Sequence, residues 1–462
     1  MESAKKILTL EISNKGSVSK GIKERAIVLD AIECALDAAS PSVMLSANMK
    51  IKSGKIYVKG IYPLQISSFD KIIVVGGGKA SGALAESLER VLGFENISEG
   101  CVNILKGTKH FYSTKKIFLN EASHPVPNQK GVKGVRSMLS ILKNATRNSL
   151  VICLITGGGS SILPLPAKGI SLQEIIETTN LLLRAGADID QMNVVRKHIS
   201  SIKGGQLVRH TNAARVLSLI ISDVVGNHLD SIASGPTCPD KSTFSDAIGI
   251  LDAFNISKQV PSSVMNHLKQ GAKGNLHETP KPGDAIFSAV SNILIGSNER
   301  ACRAAIKRLE RDFPRNTYYL GSSWKGEARV TSQRIISKCV RLSKAKRSAF
   351  VWGGETTVTV KGKGIGGRNQ EQALAAFRNI CRRQDKITIA FFATDGIDGK
   401  TRAAGAIVDR SLCDKAISMK LDPKGFLEKN DSNTFFQKLG LSLISTGATG
   451  TNVNDLGIAI LN

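Results

Sequence analysis

Four glycine-rich turns, each placed directly after an apolar run, limit what this chain can fold into. They read VVGGGKASG (74–82), LITGGGSSILP (154–164), KGKGIGGRNQE (361–371) and STGATGTNVND (445–455). The runs FDKIIVVGGG, SLVICLITGGG and ARVLSLIISDVVGN lack a polar face, as parallel strands buried on both sides do. A helix is expected after the first turn, from Ala80 to Leu92. Another is expected over residues 171–185, with Ser171 as N-cap and Glu174 closing a capping box. Gly21 to Ser40 carries apolar residues at helical spacing. Strand, tight turn and helix in repetition make an α/β protein.

At 462 residues the chain exceeds one ordinary core, so two α/β domains are expected. The larger, over residues 20–280, is read as Rossmann-like with a mostly parallel sheet. The smaller runs over 285–462. The connection is placed within or just after 257–284, where Gly271, Gly274, Pro280, Pro282 and Gly283 interrupt the periodicity. KIKSGKIYVKGIYPL reads as hairpin-like. SAFVWGGETTVTVKGKGIGG alternates apolar and polar residues and reads as a hairpin with one solvated face.

No apolar run approaches the roughly 18 residues of a membrane span, and the first 21 residues hold no signal-peptide core. Eight scattered cysteines without a CxxC pair exclude a zinc ribbon and fit a reducing, cytoplasmic setting. The net charge of +25 admits a nucleic-acid partner, anionic metabolites, or a generally basic, solubilising surface. The basic residues are spread along the chain, and the sparse aromatics form no stacking platform.

Glycine turns let backbone N–H groups approach a ligand, and a following helix adds a positive dipole end. Gly77, Gly78 and Ser81, with Lys79 at a helix start, therefore offer an anion site; a solvated Lys on a tight turn is the plainer reading. Gly76-x-Gly78 begins like a dinucleotide fingerprint, but its third glycine comes one position late, at Gly82. Ala80 after Lys79 rules out a Walker A loop. Gly158, Gly159, Ser160 and Ser161 form a second anion candidate. A serine hydrolase using Ser160 or Ser161 would want a GxSxG turn, and the final glycine is missing. Gly366 and Gly367 lead into Arg368 and Asn369, where Arg368 offers a forked clamp for phosphate or carboxylate. Asp223, Asp395 and Asp398 end apolar runs, where a carboxylate can hold Mg²⁺, take a proton, or cap a loop. Glu355 precedes the third glycine turn. Arg196, Lys197 and Lys203 form a basic cluster in which Lys197 reads as solvated, and His124 sits in a proline-bounded turn.

These pieces, in order, resemble the glycerate 2-kinase family, whose C-terminal part is the MOFRL domain. The matching segments are GGGKASG, ASHPVPN, LITGGGSSILP, MNVVRKHISSIKGGQL, ISDVVGN with IASGPTCPD, GGET, GGRNQE, ATDGIDG and TGATGTNVNDL, from about residue 25 onward. The resemblance implies an ATP- and Mg²⁺-dependent kinase acting on the 2-hydroxyl of D-glycerate, as a monomer or homodimer, with its site in a cleft between two α/β domains. Lys79 and Arg368 match the family's essential basic residues, and Asp223 falls on a cleft-lining segment as base or metal ligand. On this reading the glycines above, Ser81, Ser160, Ser161, Lys203, Asn369 and Asn454 face ATP. Arg196 and Asp395 face the substrate, and Asp223, Glu355 and Asp395 are metal candidates. Two departures stand out. Asn227-His228-Leu229 replaces the family's acidic pair, leaving Asp223 as that loop's metal candidate, and Ala448 replaces a turn proline.

Overall fold

The computed structural model describes residues 12–19, 22–344, 346–383 and 386–462. Lys20 and Gly21, where the first domain and first helix were expected to begin, lie outside them. The chain divides into two compact units. One is Met44–Ile295; the other joins the described residues through Val43 to Gly296–Asn462.

The Met44–Ile295 unit opens with a small antiparallel sheet, β1 (Met49–Lys52), β2 (Lys55–Val58) and β3 (Leu64–Gln65). Its main sheet comprises β4 (Lys71–Gly77), β5 (Glu99–Leu105), β6 (Ile117–Ala122), β7 (Ser149–Thr156), β8 (Arg215–Ile221) and β9 (Val290–Gly296). The spatial order is β6-β5-β4-β7-β8-β9, and the β6-to-β8 pairings are parallel. Every residue of β7 is buried, as its unbroken apolar run requires. The chain builds outward from β4 to one side and returns to place β7 on the other. The C-terminal ends of β4 and β7 therefore form a topological switch point, where open α/β sheets bind ligands. Helices Leu172–Ala185, Ile189–His198, Phe244–Ala253 and Ser262–Ala272 pack a second apolar cluster around Val195, Phe244 and Leu251. The capping box of Ser171 and Glu174 is present.

The other unit contains β10 (Thr317–Tyr319), β11 (Trp324–Glu327), β12 (Ser348–Thr357), β13 (Ile387–Ala393), β14 (Gly405–Asp409), β15 (Leu443–Ile444) and β16 (Asp455–Leu461). Their order is β10-β12-β16-β13-β14-β15, with β11 also on β12. β16 lies antiparallel between β12 and β13, so this sheet is mixed. The expected hairpin in 348–367 does not form. β12 is one long, mostly buried strand whose partner comes from the last residues of the sequence.

Two further readings are corrected. The segment up to Val43, expected in the N-terminal domain, belongs with the C-terminal residues, because helix Lys23–Ala38 packs on helix Asn298–Leu309 and on β16. The passage 257–284, read as a connection, contains the regular helix Ser262–Ala272; the units part after Ile295. The cysteines also differ from the all-thiol expectation. Cys381 and Cys413, 32 residues apart, are joined by a disulfide, a pairing created by the fold with no local spacing signal.

Arg25 anchors the N-terminal helix. It is 1 % exposed, ion-pairs with Asp409 on β14, and donates to the Val18 and Leu441 carbonyls. Arg25→Ala strands the buried Asp409 carboxylate without its cation. The expected loss is about 3–5 kcal/mol, read as a lower urea midpoint for this unit. A midpoint unchanged from wild type would refute the anchoring role.

Candidate active site

The first glycine turn carries the chain from β4 into helix Ser81–Leu92. Its glycines serve close packing between strands. Gly78 has φ +144°, and a Cβ there would lie 2.1 Å from Thr156 Oγ1 at the end of β7. Thr156 also accepts the Ala80 N–H, and Ser81 Oγ lies 3.2 Å from the same hydroxyl. Ser81, fully buried, thus faces the fold interior, whereas the sequence reading turned it toward ATP. The Lys79 N–H donates to the Gly157 carbonyl at 2.8 Å, which locks the first two glycine turns together across the switch point.

Three side chains gather there. A Cβ on Gly158 (φ +75°) would lie 2.9 Å from Lys79 Cγ and 3.1 Å from His124 Cδ2. On Gly157 it would strike the Asp223 carboxylate, 1.9 Å from Oδ2. Lys79, His124 and Asp223 therefore surround the Gly157–Gly158 backbone, and that is what those two glycines make possible. Burial, and then the charge of Lys79, lower the pKa of His124 to about 4, so its imidazole is neutral at pH 7.

Ser160 and Ser161 are not arranged as hydrolase nucleophiles. Ser161 Oγ donates to the Pro125 carbonyl, and Ser160 Oγ pairs with Ser234 Oγ at 2.9 Å. Neither hydroxyl meets an imidazole base among the described residues. Ser234 Oγ continues to Asn193 Oδ1 at 2.9 Å, and Lys203 Nζ donates to the Ser160 carbonyl at 2.9 Å. Ala233 and Ser234 both hold left-handed backbone, with φ +52° and +60°. Such non-glycine conformations persist only where the surroundings fix them. Burial, helped by Arg196, lowers the Lys203 pKa to about 7. Lys197 was expected on a solvated face. It is 5 % exposed and paired with Asp240 at 3.2 Å, because its helix faces another helix there, not water.

In the other unit, Arg368 begins helix Arg368–Arg383. It grips Asp455 of β16 with two N–H groups, at 2.6 and 3.0 Å, and Glu355 of β12 with a third at 2.8 Å. Burial works against its charge, but Asp455, Glu355 and Asp398 together raise its pKa above that of an ordinary arginine. Three of its five donors are thus engaged by carboxylates, and its fork is less open to a ligand than the sequence implied. Asp398 caps the same helix, accepting the Asn369 and Gln370 N–H groups at 3.0 and 2.8 Å. Burial nonetheless pushes its pKa up to about 6. Asn369 is fully buried and its amide donates to Asp398, so it holds the helix start, and Gly367 lets Asp398 approach. Gly366 makes the equivalent room for Ser432 Oγ. Asn454 (φ +65°) ties β13 to β16 through its carbonyl, which accepts the Thr394 hydroxyl. Asp395 Oδ1 accepts the Ile397 N–H and caps its own turn.

No group of three or more metal-binding side chains occurs among the described residues. Among them, no helix is long and apolar enough to cross a membrane. Asn193, Ser234 and Asp455 were not singled out as site residues beforehand, and of the three roles open to Asp398 the structure shows the cap. Asn193 had a readable signal, since it stands one helical turn before Arg196.

Known proteins resemble this chain along most of its length. Residues 27–269 match a family described only as a domain of unknown function (DUF4147), and residues 348–455 match the MOFRL family. A glycerate 2-kinase of Pyrococcus horikoshii is 39 % identical over 445 residues, covering 95 % of this chain and 97 % of that protein. The chain belongs to the glycerate 2-kinase family. A crystal structure of a family member, a glycerate kinase from Thermotoga maritima, superposes with a TM-score of 0.81 at 35 % identity, covering 94 % of this chain and 99 % of that one. Another relative, named a putative hydroxypyruvate reductase in Agrobacterium vitis, is 35 % identical over 84 % of this chain and 86 % of its own.

Proposed function

We propose that this enzyme transfers the γ-phosphoryl group of ATP to the 2-hydroxyl of D-glycerate, giving 2-phospho-D-glycerate and ADP. The observation that carries this reading is the switch point of a family member, where Lys79 stands over the Gly157–Gly158 turn beside Asp223. Phosphoryl transfer needs positioning and positive charge around the moving group, and little covalent help. Lys79 supplies the charge. Asp223 is placed to accept the proton of the acceptor hydroxyl or to hold a cation. Backbone N–H groups of the second glycine turn supply neutral donors.

Mg²⁺ suits the oxygen donors here, because it usually keeps its waters and takes one or two carboxylates plus substrate phosphates. Asp223 would hold it; Glu355 is engaged by Arg368. When bound, the ion neutralises phosphate charge. The reductase name of one relative finds no support in the first glycine turn, whose third glycine falls at Gly82, out of step with a dinucleotide fingerprint.

The test couples the product directly to enolase. With ATP, Mg²⁺ and D-glycerate, phosphoenolpyruvate should form without added phosphoglycerate mutase. A requirement for the mutase would show that the 3-phosphate is made and would refute the stated regiochemistry. Oxidation of NADH by hydroxypyruvate, with no ATP-dependent product, would refute the kinase reading itself.

A further inference from the structure

Within the Met44–Ile295 unit, one group of side chains has positive charge and donors that the protein itself leaves unanswered. Asn193 and Arg196 lie one turn apart on helix Ile189–His198, hence on the same face. Arg196 is half-buried, burial lowers its pKa, and among the described residues no carboxylate pairs with it. Asn193 is 3 % exposed. Its Oδ1 is taken by Ser234, but its Nδ2 is buried with no acceptor. A buried amide donor without an acceptor is costly to leave unsatisfied, so such a group points to something absent from the protein's own atoms. Lys203 completes the group. It is 5 % exposed, within reach of the charge of Arg196, and fastened to the carbonyls of Ser160 and Leu163.

Lys197 nearby shows the contrast. It is buried to the same degree, yet Asp240 answers it at 3.2 Å. Two neighbouring cations and an orphaned amide, with no such acid, need an anion. A forked guanidinium with an amide N–H matches the two oxygens of a carboxylate, and the Ser160 and Ser234 hydroxyls beside it suit an acceptor that also carries hydroxyls.

We propose that Asn193, Arg196 and Lys203 form the seat for the carboxylate of the acceptor, with Ser234 holding Asn193 in place. This rests on the glycerate kinase reading and reassigns Ser160 and Lys203, expected on ATP, to the acceptor. Lys79 and the Gly157–Gly158 turn are left to the phosphates. The seat fixes the acid end of the substrate, so it selects hydroxy acids over neutral polyols.

The test separates the two substrates. Arg196→Gln should raise KM for D-glycerate at least tenfold while KM for ATP stays within twofold, and Arg196→Lys should fall between. Asn193→Asp places the protein's own carboxylate in the seat. It should keep or raise the melting temperature, because it answers two unpaired cations, and should abolish glycerate saturation. A rise in KM for ATP instead would make this a nucleotide phosphate site and overturn the proposal, as would unchanged KM values for both substrates. If wild type fails to phosphorylate glycerate, the kinase reading has failed, and calorimetric titration without ATP still decides the seat. Binding of D-glycerate by wild type and its loss in Arg196→Gln would support it. Equal binding by both, or binding of inorganic phosphate in preference to glycerate, would overturn it.

Discussion

Lys79→Ala is expected to lower kcat by about a hundredfold or more while leaving the melting temperature close to that of wild type. The main-chain N–H of Lys79 donates to the Gly157 carbonyl, and alanine keeps that bond. What is lost is a preorganised charge over the second glycine turn. Removing such a charge from a transition state that spreads negative charge typically costs on the order of 3 kcal/mol. His124 does not share this charge in the wild-type enzyme, where burial and then Lys79 itself hold its imidazole neutral. Steady-state kcat and KM for both substrates, alongside thermal melts, make the measurement. A folded Lys79→Ala enzyme within a few-fold of wild-type kcat would remove Lys79 from the mechanism.

Arg368→Ala is expected to cost both turnover and stability, in contrast to Lys79→Ala. The guanidinium joins Asp455 and Glu355, and the Asp455 side chain is only 7 % exposed. Alanine leaves the buried Asp455 carboxylate without the guanidinium that grips it, and breaking a buried pair from one side is strongly destabilising, by roughly 3–5 kcal/mol when fully buried. The 32 % exposure of Arg368 places the expected loss below that range. Arg368→Lys should recover part of the stability through its charge, yet remain impaired in turnover, since an ammonium lacks the planar fork that meets both oxygens of Asp455. Melting temperatures and kcat for the two variants give the reading. If Arg368→Ala melts like wild type and turns over normally, the Asp455–Arg368–Glu355 bridge has neither role.

The buried runs at 71–77, 149–156 and 215–221 were legible as parallel strands because each lacks a polar face. The capping box at Ser171 was legible because its signal is confined to four residues. β12 was misread because its alternating letters suit a hairpin, whereas its true partner, β16, comes from about a hundred residues later. The glycine turns were correctly seen as close approaches, but what approaches differs. Thr156 fills the space at Gly78, Asp223 that at Gly157 and Asp398 that at Gly367, and in each case the neighbour comes from a distant segment. The same holds for Arg368. Its residue type advertised an anion, and no local pattern could show that Asp455 is one of its partners.

Helix Lys23–Ala38 precedes the Met44–Ile295 unit in the chain but completes a unit whose strands, and most of whose helices, follow Ile295. Domains generally fold as they emerge, N-terminal part first. Here the Met44–Ile295 unit has its own strands before the helix meets helix Asn298–Leu309 or β16. During that interval Ile27, Leu29, Ile32 and Leu36, all buried in the finished protein, have no surface to cover them. A nascent chain paused once Ile295 has left the ribosome would therefore pair a folded module with an apolar leading helix, a natural target for a holding chaperone. By the same logic, a fragment starting at Gly296 would lack an internal wall, and adding residues 22–43 in trans should restore it.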